Sequence, residues 1–183
     1  MNSQDNAGML ARRELANRFF FRLYQCANML HKTGTWAVAA EGLTTQQWAV
    51  LGALSRREAK GGMSVGDLAR YLMVSRQNLS GVISRMQRDG HVTGAPDGRD
   101  RRSRLITMTA SGRRVWQQQA LPKIYAYYDQ ALADFSINDM THAVHYLLKL
   151  LQNMQRLEAT GQSGGNNAEG PAGGSARKTR SRR

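Results

Sequence analysis

Between residues 75 and 104 the chain concentrates side chains that recognise polyanions. Ser75, Arg76, Gln77, Asn78 and Ser80 supply donors and acceptors within one short segment. Arg can grip guanine with two hydrogen bonds, and Gln or Asn can do the same with adenine. Further on, Arg99, Arg101, Arg102 and Arg104 follow the turn signal Pro96-Asp97-Gly98. Guanidinium groups at the tip of a turn suit a narrow minor groove, where the negative potential is strongest. Residues 75–114 hold nine Arg against three Asp, a net +6. Phosphate contact needs cations clustered in this way. The bland alternative is a polar helix face beside a solvated loop, and the two clusters side by side argue against it.

Composition sets the frame for these residues. The 183-residue chain has 26 Lys plus Arg against 13 Asp plus Glu, a formal charge of +13. Such an excess points to nucleic acid, or to an anionic membrane surface. A hydrophobic fraction of 41% is enough for a core and excludes a wholly disordered basic protein. The single cysteine, Cys26, excludes an internal disulfide and a Cys-rich zinc site. No apolar run approaches the roughly 18 residues of a membrane span. The opening residues lack a secretory pattern, so a cytoplasmic location is expected. No Gly-rich phosphate loop, metal-ligand cluster or nucleophile motif stands out, which argues against an enzyme, a metal site or a cofactor. Residues 161–183 read as a disordered basic tail, with Arg177, Lys178, Arg180, Arg182 and Arg183 against Glu169. That tail is either a solubilising extension or a non-specific phosphate contact.

The elements that must position the basic residues follow from periodicity. A flexible stretch is expected at 1–8. A helix is predicted over 9–32, because Leu15, Phe19, Leu23, Cys26 and Leu30 share one face, with Gly34 as a stop. Residues 44–58 repeat the pattern, with Thr44 as N-cap. Ser64 and Asp67 have capping spacing and open a short helix around Leu68, Ala69 and Leu72. After a break at Met73-Val74-Ser75, a second helix carries Leu79, Val82, Ile83 and Met86 inward, and Gly90 ends it. The pair outlines a helix-turn-helix. Segments 91–94 and 104–108 read as two strands of a hairpin with an Arg-rich tip. Residues 109–135 return to helix, kinked or interrupted by Pro122. Ser136 and Asp139 open a last helix with an apolar stripe through Met140, Val144, Leu147, Leu148, Leu151 and Met154 to about 158. The fold class is mainly α with a small β-hairpin.

Residues 43–112 resemble the winged helix-turn-helix of the MarR family of bacterial transcription regulators. The marks are Leu43-Thr44-x-x-Gln47-Trp48-x-Val50-Leu51 and the segment Arg85-Met86-Gln87-Arg88-Asp89-Gly90-His91-Val92. The sharpest is Asp100-x-Arg102 running to Leu105, then Thr109-x-x-Gly112. His91 stands where Leu is usual, and Gly81 replaces a long polar residue at a helix cost of about 1 kcal/mol. The likeness spans about 9–158 and implies dimerisation helices at about 9–33 and 113–158. It implies a homodimer on double-stranded DNA, with recognition helices about one turn apart on a pseudopalindromic operator. Asp100 and Arg102 would then pair to hold the wing, and Arg104 could touch phosphate.

The resemblance further implies a repressor of an adjacent catabolic or efflux operon, released by a small aromatic carboxylate or phenolic compound. Asn17, Arg18, Phe21, Arg22, His31, Trp36 and Trp48 are candidates to bind it, since aromatic walls with one Arg suit an aromatic carboxylate. For any one of them, core packing or plain exposure is the competing reading. Cys26 opens a redox-sensing alternative, but its place beside Leu23 and Leu30 predicts buried packing instead. His142 and His145 lie three apart and read as surface or packing residues. A non-specific architectural DNA-binding protein is a further alternative, separable by comparing operator with random DNA at fixed salt.

Overall fold

The computed structural model describes residues 3–98 and 104–165. It divides into two units, Met1–Leu132 and Ala133–Arg183. In the first, helix α1 (Ser3–Val38) starts within the segment expected to be flexible and runs straight through Gly34. Gly34 is therefore not the stop its residue type suggests. A Cβ there would lie 2.9 Å from Thr45 Oγ1 and 3.0 Å from the Trp48 ring. The missing side chain lets α1 close onto α2 (Thr45–Leu54). Thr45 Oγ1, itself buried, donates to the His31 carbonyl at 2.9 Å and ties the same two helices.

Local capping accounts for the starts of the next elements. At α2 the Thr44 hydroxyl accepts from the Gln47 N–H, and Gln47 Oε1 accepts from the Thr44 N–H at 2.9 Å. That reciprocal pair explains the Thr44-x-x-Gln47 spacing. Helix α3 (Val65–Leu72) is capped by Ser64, and helix α4 (Arg76–Arg88) by Ser75. Between them Met73 adopts φ +53°, the only positive φ among the described non-glycine residues. Val74 N–H then reaches back to the Ala69 carbonyl at 3.0 Å, and the chain turns sharply into α4.

The wing is a three-stranded antiparallel sheet rather than the two-stranded hairpin expected. Strand β1 (Met63–Ser64) pairs with β3 (Arg104–Met108), which pairs with β2 (Val92–Pro96). The register sets Met63 opposite Ile106, and Val92 opposite Met108. Two residues are too few to leave an alternating pattern, so β1 is invisible before folding. Helix α5 (Ala110–Arg114) opens under Thr109 and passes into a π-helical stretch, Val115–Ala120, before α6 (Leu121–Ala131). The disturbance expected at Pro122 thus falls one turn earlier, and Pro122 sits in the first turn of α6. There its missing N–H matters least.

One core serves this unit. Leu51, Leu68, Met86, Ile106 and Ile124 are among its fully buried members, and Val82, Ile83 and Leu79 join from α4 as the spacing predicts. In the unit Ala133–Arg183 the described residues form one long helix, α7 (Ile137–Gly165), which continues past 158 and takes in 161–165, the start of the stretch expected to be disordered. Ser136 opens it: its hydroxyl donates to Asp139 Oδ2 at 2.6 Å and accepts from the Asp139 N–H. None of the Leu15, Phe19, Cys26 and Leu30 side chains of α1 is covered; all are exposed, and Leu23 is half-buried. Cys26 is a free, exposed thiol and not the buried filler expected. Helical spacing shows that a face is apolar but not what lies over it.

Candidate nucleic-acid interface

Helix α4 buries Leu79, Val82, Ile83 and Met86 and turns its polar residues outward. Ser75, Arg76, Gln77, Asn78 and Ser80 are all exposed. The structure divides their labour. The Ser75 hydroxyl accepts from the Asn78 N–H at 3.2 Å and so fixes the helix start. The Ser80 hydroxyl donates to the Arg76 carbonyl at 2.8 Å. That leaves the Arg76, Gln77 and Asn78 side chains as the principal outward donors of the first turn. The Arg76 guanidinium lies over Gly66 in α3; a Cβ on Gly66 would come within 2.9 Å of it. Gly66 is a contributor that sequence reasoning passed over, and its only signal is a glycine inside a helical pattern.

The wing is fastened beside α4. Arg104 donates from Nη2 to the Gly94 carbonyl at 2.6 Å, across the β2–β3 pair. Its exposed guanidinium is thereby held at the tip-side end of the β2–β3 ladder, where Arg104 pairs with Pro96. Gly94 leaves room for both Arg104 and Gln87, whose Nε2 would lie 3.1 Å from a Cβ there. Arg99, Asp100, Arg101 and Arg102 lie outside the described residues. The junction beyond β3 explains the sharpest sequence signature. Thr109 Oγ1 donates to the Gly90 carbonyl at 2.7 Å and accepts from the Gly112 N–H at 2.9 Å. Gly112 packs flat on the His91 carbonyl, where any Cβ would clash with backbone. One Thr and one Gly thus lock the end of α4, the sheet and the start of α5 together.

The residues offered for a small molecule do not converge. Asn17, Arg18, Phe21, Arg22 and Trp36 are exposed on α1. Arg18 lies 3.8 Å from Glu14, and Arg22 donates to Gln25 at 2.9 Å. Lys32 sits over the Trp36 ring, 5.1 Å from its centre. Trp48 is buried in the core, its ring 6.0 Å from Tyr127 and 5.7 Å from Tyr128. These two tyrosines were missed; Tyr127 shares a 2.9 Å hydroxyl contact with Thr33, and burial raises the Tyr128 pKa. His31 does line a cleft of about 270 Å³, together with Leu30, Thr45, Leu72, Val74 and Asn78. The cleft joins α1 and α2 to the turn before α4 and to its first residues. Among the described residues no group of His, Cys, Asp and Glu could hold a metal ion, and no helix is long and apolar enough to cross a membrane.

A capped turn, a helix with a polar outer face and a pinned three-stranded wing define a winged helix-turn-helix DNA-binding protein. The model of the MarR family matches residues 41–103. The chain is 74% identical over 154 residues to the transcriptional activatory protein BadR of Rhodopseudomonas palustris, covering 84% of this chain and 87% of that protein. This chain belongs to the MarR family, whose members are DNA-binding transcription regulators and not enzymes. It is also 31% identical over 110 residues to the homoprotocatechuate degradative operon repressor of Escherichia coli, covering 60% of this chain and 72% of that one. Among solved structures, the M. tuberculosis transcriptional regulator MosR in complex with DNA superposes with a TM-score of 0.64 at 25% identity. That match covers 75% of this chain and 96% of MosR.

Proposed function

We propose that this regulator binds a pseudopalindromic operator as a homodimer and that a small aromatic acid or phenol alters its grip. The observation that carries the reading is the 270 Å³ cleft, because Asn78 and Leu79 of the recognition helix form part of its wall. An occupant there would press on the first turn that presents Arg76 and Gln77. An apolar cavity of about 150 Å³ already holds a benzene ring, so the volume suits one aromatic ring. Leu30, Leu72, Val74 and Val82 supply the apolar walls, and His31, Gln46 and Asn78 the polar groups. The second copy is supported by the apolar side chains that α1 (Leu15, Phe19, Leu30) and α7 (Val144, Leu147, Leu148, Leu151) each leave exposed.

Repression is the sign expected from the family at large. The 74% identical relative is named an activatory protein and the 31% identical one a repressor. The nearer similarity favours activation for this chain. The test is fluorescence anisotropy with DNA from upstream of its own coding sequence and with random DNA at one salt concentration. A preference for the upstream DNA of about a thousandfold is expected, and a benzoate or phenol series should shift it. Equal affinity for both DNAs would leave only the architectural reading, and indifference to every aromatic acid and phenol would remove the effector.

A further inference from the structure

Two clefts of opposite character meet at Arg56, on a surface to which α4 contributes no lining residue. The first, about 190 Å³, is walled by Ala53, Met63 and Tyr71, with Glu58 at its edge. The second, about 220 Å³, is lined by Ser55, Lys60, Thr107, Arg113 and Gln117. Arg56 and Ala59 belong to both. The Arg56 guanidinium is stacked over Tyr71, 4.7 Å from the ring centre, and meets Glu58 at 3.3 Å. It is therefore a fixed divider and not a free surface cation. Arg56, Lys60 and Arg113 bring three cations to the polar cleft, while the other cleft has a mainly apolar wall.

We propose that this paired cleft docks an acidic segment of the transcription machinery, with an apolar side chain beside Tyr71 and carboxylates at Arg56, Lys60 and Arg113. DNA fits the chemistry poorly. A phosphate backbone has no apolar group to fill the Ala53–Met63–Tyr71 wall. A peptide carries both an apolar anchor and carboxylates, and its backbone N–H groups can donate to Glu58. Helix α4 lines neither cleft, so a segment docked there leaves the recognition helix uncovered, although Met63, Thr107 and Met108 of the wing sheet form part of the walls. The inference rests on the reading of the chain as an activator, which needs a surface for RNA polymerase that DNA leaves free.

The test uses the full chain, purified RNA polymerase holoenzyme and DNA from upstream of the coding sequence. Holoenzyme binding is read by biolayer interferometry, DNA binding by anisotropy and folding by thermal melting. The double variant Arg56→Glu/Lys60→Glu should weaken holoenzyme binding about tenfold or more, since close charge pairs dominate such contacts. Tyr71→Ala, which removes the apolar wall and the ring beneath Arg56, should weaken it about fivefold. Both should melt like the parent and hold DNA within about twofold. Holoenzyme binding that neither variant changes overturns the proposal. So does a loss of DNA affinity in the charge variant, which would make the surface a phosphate contact. Parent protein that binds its DNA but not the holoenzyme sinks the docking site and leaves the DNA-binding reading standing. Parent protein that lowers run-off transcription removes the activator premise itself.

Discussion

The winged region and the long helices handle apolar side chains in opposite ways. Among the described residues, the buried hydrophobic ones all fall between Val38 and Ile124. Most of α1 before Val38, and α7 along its length, leave theirs in the open: Phe21 is 65% exposed, Leu15 63%, Ile137 78% and Leu157 71%. The first pattern is a finished core. The second pattern leaves large apolar groups exposed along each of the two helices, and such faces mark contact sites. The difference separates what one chain can fold from what it needs a partner to complete. On the proposed homodimer, reading DNA uses the finished part and spacing two readers along an operator uses the unfinished one.

The largest expected effect therefore comes from breaking the unfinished part. Leu147→Asp with Leu151→Asp puts two charges on the α7 stripe without touching the winged core. The variant should sediment as a monomer and lose operator affinity by about a hundredfold or more, because two linked half-sites bind far better than one. Its melting by the winged core should persist. A variant that remains dimeric with intact affinity would show that the exposed stripe is not the second-copy surface.

The next effect tests the finished part. Gly112→Ala forces a Cβ into the His91 carbonyl, a backbone group that cannot swing aside. It should cost about 2–4 kcal/mol, read as a lower denaturant midpoint at unchanged slope. A loss under about 0.5 kcal/mol, the size of an ordinary surface change, would mean that the Thr109–Gly112 lock is looser than its geometry.

Arg76→Ala follows. If Arg76 meets a base edge, operator affinity should fall by about 1–3 kcal/mol with relaxed sequence preference; if it meets phosphate, binding should weaken across all DNA and the salt slope drop by about 1. An affinity and slope both unchanged would move recognition off Arg76 and toward its first-turn neighbours Gln77 and Asn78.

The same contrast governs what was legible before folding. Caps were readable because they are local: Thr44 as an N-cap, and Ser64 with Asp67 and Ser136 with Asp139, each pair three residues apart; that Gln47 returns the bond to Thr44 came only with the structure. The inward face of α4 was readable because burial on one helix has a fixed period. Gly34 misled because its value lies in Thr45 and Trp48, which reach it only through the fold. Strand β1 was hidden by its length, and the π-helical stretch 115–120 by its lack of a residue signature. Cys26 was misplaced because apolar spacing does not say whether a face is covered by the same chain. The cleft at Asn78 was the least legible feature. It draws on α1, α2, the turn after α3 and α4, and of the seven ligand candidates only His31 reaches it.

The smallest effect compares the two units on equal terms, since each opens a helix with a Ser–Asp cap. The Ser64 hydroxyl and then Arg70 hold the Asp67 carboxyl below its ordinary 3.8, and Ser136 does the same for Asp139. A carboxylate whose pKa is lower when folded stabilises above its unfolded pKa, and that gain is lost as pH falls through the folded value. Both carboxylate contacts should thus hold at neutral pH and be lost in acid, while the Ser hydroxyls still accept from the Asp N–H groups. Ser64→Ala should cost about 1 kcal/mol near pH 7, and the gap from the parent should narrow in acid as Asp67 protonates. Ser136→Ala probes a helix that one chain leaves uncovered, so its effect should register in the dimer's dissociation and not in the melting of the winged core. Equal shifts of core melting from both variants would mean that the two units fold as one cooperative block, and the contrast between finished and unfinished regions would have to be redrawn.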